Sequence, residues 1–300
     1  MLQFGIDLGG TKTEIIALDE QGNELLRRRT PTPRECYSDI LDTILTLVRS
    51  CANELNQPFT LGLGIPGALS YQTGLVKNAN TTCLIGKDLK GDIEKALGQS
   101  VVIANDADCL ALSEATDGAG AGYPTVFAVI IGTGCGGGWV VNGQLVSGPN
   151  AIAGEWGHNP LPWRDSDDNE VQCYCGQHGC QETLLSGTGV RIQALKETGI
   201  DQSAEAWVSA SEGGDIQAQD VIYKHHRRLA KALAAVINLM DPHAIVLGGG
   251  VSNLSSIYRT VPDMLSEWVF SDTVTTPILK SQHGDSSGVR GAAWLGRLKS

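Results

Sequence analysis

The sequence predicts an α/β protein built from two similar halves, with a metal-binding segment set into the second. Three observations predict it. Met1–Leu8 and Val126–Ile131 are short apolar strands, and each runs into a Gly/Thr turn (Gly9–Thr13, Gly132–Gly138) that returns as a second strand. Behind each opening, strands and helices alternate, which is the pattern of an α/β unit. Finally, three of the eight cysteines fall within eight residues as Cys173-x-Cys175-x4-Cys180, fifteen positions after His158.

In the first half, Glu14–Leu18 is the returning strand, and Gly22-Asn23 turns into a third that ends near Pro31 and Pro33. Arg27, Arg28 and Arg29 form the only basic triplet and read as a solvated strand end. Ile40, Ile44, Leu47, Val48, Cys51 and Leu55 make one stripe of an amphipathic helix. Phe59–Ile65 is a strand ending at Pro66-Gly67. A polar loop with Asn78 and Asn80 follows, and Leu89, Ile93 and Leu97 mark a short helix. Val101–Ala104 is a strand with Asn105-Asp106 at its end, just before a helix over Ala107–Ala115.

In the second half, Trp139–Val141 and Gln144–Val146 form a hairpin, because Asn142-Gly143 favours a type I′ turn. Helical sequence dominates from Glu182 to about Met240. Ala244–Leu247 is a strand running into Gly248-Gly249-Gly250. A helix over Ser255–Glu267, a strand over Thr276–Ser281 and a closing helix over Ser287–Leu298 complete the chain. The Gly/Ala run at Asp117–Tyr123 suits a hinge. The expected domains are therefore 1–117, joined by 286–300, and 118–285, which carries the metal loop at 154–182.

The formal charge is 22 − 33 = −11, and no Lys/Arg block is present to neutralise phosphates, so nucleic acid is excluded as a partner. No apolar run approaches the roughly 20 residues of a membrane helix, and no signal peptide opens the chain. A cytoplasmic location is expected, with the cysteines as thiols or metal ligands.

Cys173, Cys175, Cys180 and His158 supply three thiolates and an imidazole, a complete tetrahedral set for structural zinc with no position left for a reacting water. A Cys175–Cys180 disulfide or separately buried thiols are the alternatives. Glu155 and Glu182 lie beside these ligands, so a metal that fixes His158 and Cys180 fixes two carboxylates placed to hold a polar substrate.

The two Gly/Thr turns expose backbone N–H groups without side chains in the way, as a polyphosphate requires. Each lies between two strands, unlike a Walker A loop. Gly9, Gly10, Thr11 and Lys12 in one turn, and Gly132, Thr133, Gly134, Cys135 and Gly136 in the other, are expected to line the nucleotide. Lys12 either contacts phosphate or is merely exposed. Asp7 is placed to hold Mg²⁺ through water, or to cap its turn. Gly249 and Gly250 form either a wall against adenosine or a plain strand-to-helix turn.

Asp7-Leu8-Gly9-Gly10-Thr11-Lys12, Gly132-Thr133-Gly134, Gly154-Glu155-Trp156-Gly157-His158 and Cys173-x-Cys175-Gly176-x2-Gly179-Cys180-x-Glu182 together resemble the ROK family of sugar kinases over essentially the whole chain. Gly154–Trp163, Lys77-Asn78-Ala79-Asn80 and His283–Gly291 look most like its bacterial fructokinases (mannofructokinases). The resemblance implies a two-domain actin/hexokinase/Hsp70-like (ribonuclease H-like) fold. It implies ATP-dependent phosphorylation of the 6-hydroxyl of fructose, with mannose weaker, and the family's homodimer.

It further implies Asp106 as general base, although capping of the following helix by Asn105 or Asp106 is the residues' own alternative. It places Gly67, Asn80, Asn105, Glu155, His158 and Glu182 on the sugar, with one His158 nitrogen on zinc and the other donating to a hydroxyl. N-acetylglucosamine, N-acetylmannosamine or glucose are the rival substrates. A ROK repressor is the rival function; the first strand and turn begin within ten residues of the start, which leaves no space for a DNA-binding helix-turn-helix.

Other residues are expected to stay outside the chemistry. His225-His226-Arg227-Arg228 read as a solvated helix face, and neighbours about 100° apart make a poor metal pair. Cys36, Cys51, Cys83 and Cys109 have no ligand spacing. Cys135 is a thiol open to alkylating agents, and His283-Gly284-Asp285 matches the family or caps the last helix.

Overall fold

The computed structural model describes residues 1–79, 81–166, 168 and 170–297. Asn80, expected on the sugar, lies outside the described residues. The chain divides into two compact units. The first comprises Met1–Gly122, Gly138–Ala153 and Asp285–Ser300; the second comprises Tyr123–Gly137 and Gly154–Gly284. Residues 138–153 thus belong with the first unit, whereas the expected boundaries grouped them with the second.

In chain order the first part runs β1 (Leu2–Leu8), β2 (Lys12–Leu18), β3 (Glu24–Pro31), α1 (Tyr37–Leu55), β4 (Phe59–Ile65), β5 (Ala68–Leu69), β6 (Val76–Lys77), α2 (Leu89–Leu97), β7 (Val101–Asn105) and α3 (Asp106–Thr116). Its sheet has the order β3-β2-β1-β4-β7. β2 runs antiparallel to β1 and β3, while β1, β4 and β7 are parallel. The apolar stripe of α1 buries Ile40, Ile44, Leu47, Val48 and Cys51 as its spacing predicts.

The chain continues with β8 (Thr125–Ile131), β9 (Cys135–Val141), β10 (Gln144–Leu145), α4 (Glu182–Leu185), α5 (Gly187–Thr198), α6 (Ala204–Glu212), α7 (Ile216–Met240), β11 (Ala244–Gly248), α8 (Ile257–Leu265), β12 (Ile278–Lys280) and α9 (Ser287–Leu295). The second sheet has the order β10-β9-β8-β11-β12. Both sheets therefore arrange their successive strands as third, second, first, fourth, fifth, which makes the duplication seen in the sequence topological. Asn142 and Gly143 both take positive φ between β9 and β10, as the type I′ turn requires.

In the first unit α9 lies on β1, β2 and β4 and against α3. The approach is too close for side chains. A Cβ at Gly62 of β4 would stand 1.9 Å from the Ala292 carbonyl oxygen, and one at Gly291 would stand 1.7 Å from that of Cys109.

Two sequence expectations are corrected. Arg27, Arg28 and Arg29 lie inside β3 rather than at its end, and of the three only Arg29 is exposed: Arg27 and Arg29 both pair with Glu14, which is buried, and Arg28 pairs with Glu54. The pairing arises because Glu14 points from β2 to the side where β3 places alternate residues. His225, His226 and Arg228 are likewise buried, because α7 is packed by α4, α5, α6 and α8 rather than by one face alone.

Arg228 donates to Asp168 at 2.7 Å and to Glu197 at 2.8 Å, and the Arg228 and Asp168 side chains are only 5% and 3% exposed. Asp168 in turn accepts from the Asp165 backbone N–H at 2.7 Å, so this pair ties the 158–173 segment to α7. Replacing Arg228 with alanine strands the buried Asp168 carboxylate, while Glu197 keeps Lys224 at 3.3 Å, and is expected to cost about 3–5 kcal/mol, read by urea denaturation. A loss below about 1 kcal/mol would show the pair to be as weak as a surface one.

Candidate functional site

In the first unit, the β1–β2 turn is closed by the Gly9 N–H donating to the Lys12 carbonyl at 3.0 Å. Thr32, just past β3, braces it: its hydroxyl donates to the Gly9 carbonyl at 2.8 Å, and its N–H donates to the Thr11 carbonyl at 3.0 Å. Gly10 and Thr11 are exposed and Lys12 is half-buried, so the turn presents its backbone outward. Asp7 precedes it at the end of β1. Burial, and after it the charges of Asp106 and Glu14, push the Asp7 carboxyl up to about 6, against the opposing pull of Lys12 and Arg29.

Asp106 is exposed at the first position of α3, straight after β7. Its Oδ1 accepts from the Ala107 N–H at 2.8 Å, and Asn105 Oδ1 accepts from the same group at 2.8 Å. Asn105 is therefore the helix cap. Its amide also donates to the Gly67 carbonyl at 3.0 Å. Gly67 has φ 115°, and a Cβ there would stand 2.6 Å from the Lys77 carbonyl oxygen, so glycine is required. Gly67, Asn105 and Asp106 thus form one corner at the carboxyl ends of β4 and β7, and the Asp7 carboxyl lies near enough to feel Asp106.

In the second unit, the β8–β9 turn is closed by Gly132 N–H donating to the Gly134 carbonyl at 2.9 Å. The Gly132 carbonyl also accepts from the Gly187 N–H at the start of α5, at 2.8 Å. β11 pairs with β8 so that Gly248 faces Ile130. Gly249 and Gly250 therefore emerge beside this turn, with Gly250 opening a 3-10 turn to Asn253.

Trp156, Gly157 and His158 form a second 3-10 turn that is pinned to β9. The Trp156 indole N–H donates to the Gly136 carbonyl at 3.0 Å, and its ring meets Phe127 edge-on at 5.7 Å. Glu155, immediately before, is exposed.

Cys173, Cys175, Cys180 and His158 converge. Their candidate ligand atoms all lie within 4.8 Å of one another. Cys173 Sγ is 3.6 Å from His158 Nδ1, and Cys175 Sγ is 3.6 Å from Cys180 Sγ. A tetrahedral ion with bonds of about 2.3 Å places its sulfurs about 3.8 Å apart, whereas a disulfide brings them to about 2 Å. The donor set thus fits a tetrahedral metal, and all eight cysteines are free thiols. The loop is built for it: Cys173 N–H donates to the Gln177 carbonyl at 2.8 Å, and a β-bridge joins Pro160 to Cys180. Burial pushes the Cys180 thiol up to about 12, and the charge of a dication would reverse that.

Glu182 joins this cluster to the glycine turn. Its Oε2 accepts from the Cys135 backbone N–H at 2.9 Å, and its Oε1 accepts a 3.9 Å contact from Cys173 Sγ. This qualifies two expectations. The N–H of Cys135 is engaged by Glu182, and the thiol is buried and held far above the usual thiol range by burial and then by Glu182. It is therefore not an open alkylation site. His158 Nε2, expected on a sugar hydroxyl, meets the Tyr174 hydroxyl at 3.0 Å, so a sugar must share or displace that contact. Sequence reasoning missed Tyr174, whose position between two ligands was the available signal, and Thr32, which carried none.

A profile of the ROK family matches residues 3–298. The N-acetyl-D-glucosamine kinase of Vibrio atlanticus is 39% identical over 299 residues, covering 98% of this chain and 99% of the relative. Among solved structures, a ROK hexokinase from Thermus thermophilus superposes with a TM-score of 0.89 at 26% identity, over 99% of this chain and 98% of that one. A ROK family glucokinase from Streptomyces griseus, in complex with glucose and AMPPNP, gives a TM-score of 0.79 at 28% identity over 100% of both chains.

Proposed function

The chain belongs to the ROK family, and on that premise we propose that it is an ATP-dependent sugar kinase that phosphorylates the 6-hydroxyl of N-acetyl-D-glucosamine. The observation that carries the substrate is the 39% identity, over nearly the full length of both proteins, to a kinase named for that sugar. The expectation of fructose rested on short motifs, Lys77–Asn80 and Asn159–Trp163, and whole-length similarity outweighs them.

Phosphoryl transfer needs a positioned alcohol, a shielded polyphosphate and an acceptor for the hydroxyl proton. In this reading Asp106 takes that proton, and Asn105, with Gly67 beside it, contacts the sugar. Glu155, His158 and Glu182 hold its hydroxyls, since carboxylates accept from hydroxyls and an imidazole N–H donates to them. The two glycine turns, with Gly249 and Gly250, receive the nucleotide through backbone N–H groups, and Asp7 holds the accompanying Mg²⁺ through water. Zinc, when bound by His158, Cys173, Cys175 and Cys180, supplies rigidity and fixes the imidazole tautomer.

A coupled ADP-release assay with Mg-ATP tests this against N-acetylglucosamine, N-acetylmannosamine, glucose, fructose and mannose. N-acetylglucosamine is expected to give the highest kcat/KM, by at least roughly tenfold, the net worth of one hydrogen bond. Fructose in first place would return the substrate to the one the short motifs suggest. Silence on every sugar would overturn the kinase reading.

A further inference from the structure

His225 and His226 lie in the middle of α7, each only 1% exposed, and nothing in the phosphoryl transfer uses them. His225 Nε2 is 3.0 Å from the Leu185 carbonyl oxygen, His225 Nδ1 is 3.4 Å from His226 Nδ1, and His226 Nε2 is 2.8 Å from Ser256 Oγ. A carbonyl can only accept, so His225 carries its proton on Nε2. A neutral His225 then accepts at Nδ1, which makes His226 the donor from its own Nδ1. That leaves His226 Nε2 to accept from the Ser256 hydroxyl. The four groups thus have one consistent polarity, from Ser256 through both rings to Leu185.

The two ends of this relay adjoin candidate site residues along the sequence. Ser256 stands immediately before α8, three residues beyond the 3-10 turn that Gly250 opens. Leu185 is the last residue of α4, whose first residue is Glu182. α4 is a single turn, held by the Leu184 and Leu185 N–H groups donating to the Gln181 carbonyl at 3.0 and 2.8 Å. A shift at Leu185 is therefore carried to the Glu182 carboxylate and to its bond with the Cys135 N–H.

We infer that His225 and His226 are positioning residues for the sugar site: as a neutral, singly polarised pair, they pin the carbonyl end of α4 and so hold Glu182 in place. Burial supports this by keeping both rings uncharged, with His225 lowered to about 4 and His226, also under the influence of His225, to about 3. A charged His225 would set its Nδ1–H face to face with that of His226. The inference rests on the proposed role of Glu182 in gripping the sugar.

The test has two arms. The first reads hydrogen-bond polarity without reference to activity. Side-chain ¹⁵N NMR at pH 7, assigned with His225→Gln and His226→Gln, is expected to show His225 protonated on Nε2 and His226 on Nδ1. The opposite tautomers, or a charged ring, would overturn the relay.

The second arm is kinetic. A glutamine amide reaches the place of Nε2 and an asparagine amide only that of Nδ1. His225→Asn is therefore expected to raise the sugar KM roughly tenfold with the ATP KM unchanged, as loss of one buried donor would. His225→Gln is expected to remain within about twofold of the parent. Equal effects of Asn and Gln, or equal changes in both KM values tracking a lowered Tm, would overturn the positioning role. A parent enzyme inactive on every sugar would sink the proposed function, while the NMR arm would still decide the relay.

Discussion

Replacing Asp106 with asparagine is expected to lower kcat by about 10²–10⁴-fold, the usual contribution of a positioned general base, with the sugar KM nearly unchanged. The substitution suits the test because the cap on α3 does not depend on the charge. Asn105 caps α3 through the same Ala107 N–H that Asp106 contacts, and an asparagine at 106 still offers an oxygen to it. A variant with near-normal turnover would remove Asp106 from the mechanism.

A second readout separates chemistry from folding. The folded pKa of Asp7, about 6, lies above its ordinary value of 3.8. The folded state therefore binds more protons between pH 4 and 6, and this carboxyl makes stability fall as pH rises through that window. The Asp106 charge is the second cause of the shift. Asp106→Asn should flatten the fall, so the ligand-free variant melts at or above the parent's temperature at pH 7 while turning over far more slowly.

Replacing Cys175 with serine is expected to remove zinc and sugar phosphorylation together. Of the four converging residues, Cys175 is exposed, so serine there leaves the core untouched and deletes only a ligand. The other three then hold a weakened site, and the loop carrying Glu155, His158 and Glu182 loses its anchor. Outer-shell partners of metal ligands typically cost 10–100-fold when mutated. Deleting a ligand should therefore lower kcat/KM by more than roughly 100-fold, with metal content falling from one equivalent to near zero. Zinc-free protein that retained full activity would show that the metal does not position the sugar loop.

The duplication was legible in the sequence because each half repeats the same strand, turn, strand opening, and apolar spacing marked α1 and α2. The converging Cys/His residues were legible for a similar reason: a tetrahedral site needs ligands at short spacing around glycines. Burial on α7 was not legible, because His-His-Arg-Arg looks solvated until four helices are known to surround it. The pairing of Glu14 with Arg27 and Arg29 was equally hidden, since it depends on strand register rather than on sequence neighbours. At the site, Asn105, Asp106 and Gly67 emerged as one corner only when β4 and β7 were adjacent. The engagement of His158 by Tyr174 and of Cys135 by Glu182 involves side-chain directions that spacing does not encode.

The seat of α9 sets a timetable for biogenesis. Its small residues fill space that Gly62 on β4 leaves open, and Gly291 lets it press on α3, so the first sheet is covered on one face by a helix distant in sequence. A ribosome completes β1–β4 more than two hundred residues before it completes this helix. During elongation the nascent sheet has that face bare, and contacts of such long sequence separation form late. The unit that bears Asp7 and Asp106 therefore completes its packing only once α9 has been made.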